Sequence, residues 1–168
     1  MNKGQIISAF PMTGKTYCGN TYQNIIDLWR TPFKHILSED DKKVWVEASK
    51  WILKDLNPEW PNNYKDAILE AQKTYAVVLV NEAILETLRA EHIPYSRVTP
   101  TIDCKDEYIE RMRQRGNNET LIKKIWDNFE KYIAEDSEDT YAEHLYILQQ
   151  WQYISDLFKT LGIPLIKK

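Results

Sequence analysis

At 168 residues, with 43% hydrophobic residues, six Trp and ten Tyr, the chain fits one domain with a real core and is too apolar for a disordered segment. Its 22 Lys and Arg against 25 Asp and Glu leave a mildly acidic balance, which gives no support for broad nucleic-acid binding, so any anion must be gripped locally. Two cysteines make no disulfide framework, no secretory signal opens the chain and no apolar run reaches membrane-spanning length, so a reduced, cytoplasmic setting without a membrane role is expected.

The first predicted element is a strand, Gln5–Phe10, and it runs into a loop ending Gly14-Lys15-Thr16. Strand, glycine-containing turn and helix start are the context in which that tripeptide spells a phosphate-binding loop. Successive backbone N–H groups of Met12 to Tyr17, the helix N-terminus and the Lys15 ammonium would hold a polyphosphate, and the Thr16 hydroxyl would hold Mg²⁺. Within that loop, Pro11 contributes no N–H, while Met12, Thr13 and Tyr17 line the bend with the motif residues. The motif's first glycine is replaced by Ala9, which a strand end tolerates if φ stays negative. The bland alternative is an ordinary strand-turn-helix with an exposed lysine.

A second strand is expected at Asn24–Leu28, and open parallel sheets bind ligands beyond the carboxyl ends of their strands. Asp27 there suits a hydroxyl acceptor, as hydrogen-bond partner or general base, whereas Arg30 suits an acceptor already bearing a phosphate; the pair does not choose by itself. Asp27 serves equally well as a helix cap. Residues 29–75 then carry many aromatics, Trp29, Phe33, Trp45, Trp60 and Tyr64, and form a candidate acceptor-binding helical insert. Ser38 with Asp41 can cap a helix whose Val44, Ala48, Trp51 and Ile52 share a face; Tyr64, Ile68, Ala71 and Tyr75 mark another. Most of these rings belong to the core, and Trp60 and Tyr64, flanking Pro61-Asn62-Asn63, are the choices for an opening that admits a base.

The third strand, Ala76–Val80, is continuously apolar, as for a strand covered on both faces. Asn81 and Glu82 follow where a magnesium-associated acid often lies, although Glu82 reads more simply as a first-turn acid, and Arg89 as a surface residue. A fourth strand spans Tyr95–Thr99 and a fifth His144–Leu148. Between them, residues 105–135 read as lid helices. In a helix, Arg111 and Arg115 share a face while Tyr108 or Ile109 and Met112 turn to the core, so two guanidinium groups can close over phosphates; the alternative is a solvated basic face paired with Glu107 and Glu110. Gly116, Asn117 and Asn118 turn the chain into a long helix striped by Leu121, Ile122, Ile125, Trp126, Phe129 and Ile133. Strands alternating with helices mean an α/β fold with a central parallel sheet of about five strands. No metal-ligand spacing links the histidines to the cysteines, and no nucleophile elbow is present.

The stretches "AFPMTGKTYC", "NPEWPNNYKDAI", "HIPYSRVTPT" and "KDEYIERMRQRGNNETLIKKIWDNFEKYI" together resemble the small P-loop kinases, nucleoside monophosphate kinase-like, that are common in bacteriophage genomes. The resemblance spans nearly the whole chain. It implies a three-layer P-loop NTPase-type domain, ATP and Mg²⁺ as cofactors, a nucleotide substrate in the host cytoplasm, and site residues Gly14, Lys15, Thr16, Arg111 and Arg115. Asp27-Leu28-Trp29-Arg30-Thr31 retains only the first acid of the group's Asp-x-Asp-Ser-Ser pattern, while Asp27 with Arg30 resembles the Asp-x-x-Arg of adenylate kinase-type enzymes, which points to a monophosphate acceptor.

Overall fold

The computed structural model describes residues 3–40 and 55–168. The expected helix containing Val44, Ala48, Trp51 and Ile52, and Trp45 with it, lies outside the described residues. In chain order the elements are β1 (Gln5–Ala9), α1 (Lys15–Thr21), β2 (Ile25–Asp27), α2 (Thr31–Lys34), α3 (Asn62–Ala71), β3 (Val77–Val80), α4 (Leu85–Ala90), β4 (Ser96–Pro100), α5 (Lys105–Gln114), α6 (Glu119–Ser137), β5 (Leu145–Leu148) and α7 (Ile154–Thr160). The five strands form one all-parallel sheet in the order β2-β3-β1-β4-β5.

Every expected strand is present, with ends that shift by at most one residue. The fourth slides from Tyr95–Thr99 to Ser96–Pro100; a proline is tolerated at a strand end, where little of the ladder depends on its missing N–H. The side-chain period of two sorts the apolar runs into opposite layers. Ile7, Val77, Leu79, Val98 and Leu148 pack beneath α1 and α7 with Cys18, Ile154 and Phe158. On the other face Ile6, Val78 and Val80 meet Tyr64 and Ile68 of α3 and Leu88 of α4. A sheet covered on both faces explains why these strands read as continuous hydrophobic runs.

Helices α5 and α6 form a separate pair over one end of the sheet. Phe10, Tyr108 and Phe129 make one of its contacts, with ring centroids 5.5 to 6.0 Å apart, and Ile109, Met112 and Ile122 make the other. The turn between the two helices has Gly116 at φ 83°, and the Asn118 carboxamide accepts from Leu121 N–H at 2.8 Å to cap α6. The C-terminal end of α6 is pinned to the sheet by a buried ionic cluster. Arg97 of β4 donates to Asp136 and, at 3.3 Å, to Asp139, which also accepts from Arg89 at 2.7 Å and from the Tyr95 hydroxyl at 2.8 Å. Arg89, expected at the surface, is therefore an anchor, because a tyrosine and an aspartate remote in sequence fold onto it.

The segment 163–168 crosses back over the α1–β2 turn. Ile166 accepts from Gln23 N–H at 2.8 Å, Pro164 from the Asn24 carboxamide at 2.7 Å, and the Lys168 ammonium donates to Gly19 O at 2.7 Å. Among the described residues no helix is long and apolar enough to cross a membrane.

The ionic cluster yields a stability prediction. Arg97→Met removes the cation between two aspartates whose side chains are 7% and 1% exposed, stranding buried charge. A loss of about 3–5 kcal/mol is expected, read as a fall in the urea midpoint at unchanged slope.

Candidate functional site

In the sheet, β1 is central, with β3 on one side and β4 on the other, and the connections from β1 and β4 leave in opposite directions. The crevice beyond the carboxyl end of such a strand is where open α/β sheets hold ligands. Here it opens into a cavity of about 690 Å³, within the usual size range for small-molecule sites. Its walls include Pro11, Met12, Gly14, Lys15, Thr16 and Tyr17 from the bend and α1, Asp27, Trp29 and Arg30 after β2, Asn81 after β3, and Arg111 and Arg115 from the end of α5.

Ala9 is the last residue of β1, is not among the residues with positive φ, and is 9% exposed, so the strand-end geometry that accommodates alanine is the one present. The bend itself holds two left-handed residues, Met12 at φ 66° and Gly14 at φ 96°. Glycine takes that conformation freely; for Met12 it costs roughly 1–2 kcal/mol, which the surroundings must supply. They do so by engaging the carbonyls. Ala9 O accepts from the Lys15 ammonium at 2.8 Å, Phe10 O from the Thr13 hydroxyl at 2.8 Å, Met12 O from Arg111 at 2.8 Å and Thr13 O from Ile154 N–H at 2.9 Å. Gly14 also leaves space for a ring: a Cβ there would come within 3.2 Å of Tyr153.

Arg111 is held more firmly than a lid residue waiting for phosphate would require. It pairs with Glu107, donates to Gln152 O at 3.2 Å, and stacks 3.9 Å from the Tyr153 ring centroid. Glu107 in turn accepts from Trp151 N–H, at 3.0 Å to either oxygen. Arg111 thus ties α5, the bend and the loop at residues 149–153 into one body beside the cavity. Arg115, at the end of α5, lies close enough to influence both Lys15 and Asp27 electrostatically.

Lys15 and Asp27 sit at the base of the cavity. Burial lowers the Lys15 ammonium to about 8; Asp27 pushes back up and Arg115 adds to the lowering. Burial also raises the Asp27 carboxyl above the ordinary aspartate range, against Lys15, the Thr16 hydroxyl and Arg115, which favour the carboxylate. Thr16 Oγ1 donates to Asp27 Oδ2 at 3.1 Å. Asp27 ends β2 and caps no helix. Asn81 uses its side-chain oxygen to accept from Ala83 N–H at 3.0 Å, and Glu82 points outward, its side chain 72% exposed and 3.7 Å from Arg97.

The two aromatics expected to admit a base lie elsewhere. Tyr64 is fully buried, and Trp60 stacks on it at 5.6 Å with an interplanar angle of 18°. Helical spacing made Tyr64 a core residue, and the half-buried Trp60 packs against it. The cavity's aromatic walls are Trp29, Tyr17 and Tyr153 instead. Tyr153 left no local signal in the sequence, since a loop far along the chain delivers it to Gly14. Gly19 was also overlooked, though it sits at the closest approach of α1 to β2. Compared with known protein families, curated proteins and solved structures, the chain matches none.

Tyr64 still governs the cavity from behind. Its hydroxyl donates to Leu28 O at 2.6 Å and accepts from Asn81 N–H at 3.0 Å, joining the loop after β2 to the loop after β3. Tyr64→Phe leaves both groups without that partner, and a destabilisation of about 1–3 kcal/mol is expected in urea unfolding. Faster hydrogen exchange at the Asn81 amide would identify the lost bridge as its source.

Proposed function

We propose that the chain is a P-loop phosphotransferase of the nucleoside monophosphate kinase-like kind, using ATP and Mg²⁺ to phosphorylate a nucleotide, a deoxynucleoside monophosphate among the candidates. One observation carries the reading: the bend at residues 10–14 spends its carbonyls on Lys15, Thr13, Arg111 and Ile154, so what it offers a ligand is donor-rich. The first-turn N–H groups of α1 have no intrahelical partners, and an anion is their natural complement. Because α1 has only seven residues, its dipole is short, and the charge must come from side chains. Lys15, Arg30, Arg111 and Arg115 supply it on one cavity wall or another.

The oxygen pair of Thr16 and Asp27 suits a hard divalent cation, which when bound would neutralise charge on the transferring phosphate. In the reaction, the bond from the γ-phosphorus to the bridging oxygen of ATP breaks as an oxygen of the acceptor phosphate bonds to that phosphorus. A triphosphate and a monophosphate thereby become two diphosphates. Lys15 would leave the Ala9 and Phe10 carbonyls to meet the phosphates, Arg115 would reach the transferring group, and Arg111 would keep the bend in its left-handed form. Arg30, lining the acceptor side after β2, favours an acceptor that already bears a phosphate over a bare hydroxyl. Trp29 beside it offers a face for a base.

The test is direct. The protein is incubated with Mg²⁺-ATP and a panel of nucleosides, nucleoside monophosphates and 5′-hydroxyl oligonucleotides while ADP is followed. Turnover of a monophosphate is expected. Turnover of hydroxyl compounds alone would replace it with the hydroxyl-kinase reading, and nucleotide binding without turnover would make the chain a sequestering protein. Lys15→Ala should lower kcat by about 10²–10³ or more while leaving a folded protein by circular dichroism. Full activity in that variant would overturn the site assignment.

A further inference from the structure

We infer that Asp27, at the end of the edge strand β2, is a direct ligand of the divalent cation together with Thr16, rather than a general base or an acceptor contact. The inference rests on the phosphate-loop reading and specifies how the same site holds its metal. Three observations carry it. The first is the pairing itself, Thr16 Oγ1 to Asp27 Oδ2 at 3.1 Å. In an octahedron with bonds of about 2.1 Å, neighbouring ligand oxygens lie about 3 Å apart, so the two atoms already span an edge of a Mg²⁺ or Mn²⁺ shell.

The second is how the pair comes to be so close. A Cβ on Gly19 would meet Asp27 Cβ at 2.8 Å and Asp27 N at 2.9 Å, so no side chain fits there. Helix α1 lies directly against β2 because position 19 is glycine, and that contact carries Thr16 onto the carboxylate. The third is elimination along the wall. Asp27 is the one carboxylate among the described residues lining the cavity. After β3 the side-chain oxygen of Asn81 is occupied by Ala83 N–H, and Glu82, near enough to Lys15 to raise its ammonium, is largely exposed, lies 3.7 Å from Arg97 and is not part of the cavity wall. No group of three or more His, Cys, Asp or Glu among the described residues is arranged to hold a metal, so the pair leaves most of the shell to phosphate oxygens and water, the pattern Mg²⁺ prefers.

A consequence for the acceptor follows. A carboxylate committed to a cation is a poor proton acceptor, and an acceptor phosphate, unlike a hydroxyl, needs no base. The assignment therefore pairs naturally with a monophosphate substrate.

The experiment uses Mn²⁺ as the probe, observed by electron paramagnetic resonance, with the β,γ-imido analogue of ATP. Analogue binding in EDTA is measured separately by calorimetry. Asp27→Asn, which keeps an oxygen to accept from Thr16, should weaken Mn²⁺ in the ternary complex by about tenfold or more. Its metal-free analogue affinity should stay within about twofold of the parent protein or improve, since a negative charge near the phosphates is removed. Asp27→Cys should move the preference from Mn²⁺ to Cd²⁺ and add an ultraviolet thiolate-to-cadmium band, a signature available even if the asparagine variant folds poorly. Unchanged Mn²⁺ affinity in Asp27→Asn, with the analogue bound, would overturn the inference and leave the phosphate loop intact. No analogue binding to the parent protein would overturn the phosphate-loop reading and this inference with it.

Discussion

The hydrogen-bonded ladders on both sides of β1 are the constraint on which the site depends. With Gln5 to Ser8 paired to β3 and Ile7 to Ala9 paired to β4, the strand has no freedom to move, and the bend leaves from a fixed point. Phe10 continues that restraint beyond the strand through its N–H to Val98 O at 2.9 Å. The unfavourable backbone of Met12 is tolerated because both ends of the bend are anchored, by the sheet before it and by α1 after it, while its carbonyls are engaged in between. A loop springing from an edge strand would relax to cheaper dihedrals and lose its shape.

Charge is organised around the same point. The cavity gathers three arginines, one lysine and one aspartate, while the chain as a whole is slightly acidic. Local gathering of this kind lets an acidic protein hold an anion without attracting polyanions generally. The arginines are not equivalent. Arg111 donates to Met12, Gln152 and Glu107, and so works as a brace, whereas Arg30 and Arg115 line the cavity from the loop after β2 and from the end of α5.

Much of the fold was legible because it is written locally. Strands buried on both faces must be apolar throughout, so Val77 to Val80 announce themselves, and the stripe from Leu121 to Ile133 can only be a helix. The turn and helix start at Gly14-Lys15-Thr16 were legible for the same reason. What escaped were features made by residues distant in sequence. Arg111 meets Met12 across 99 positions, so neither the loop's strain nor its brace can be read from the loop itself. The Arg97 cluster likewise draws Arg89 inward through Asp139. Tyr64 shows the limit of composition: an aromatic near a presumed ligand opening obeys its helical period and goes to the core, where its hydroxyl serves two loops.

The strap formed by residues 163–168 bears on the order in which the elements assemble. Its bonds to Gly19, Asn24 and Gln23 join segments separated by up to 149 positions. Such contacts are entropically late, because the intervening chain must already be ordered before they form. Helix α1 and β2 therefore order before residues 163–168 close over the turn between them, so the strap locks a contact that it does not nucleate.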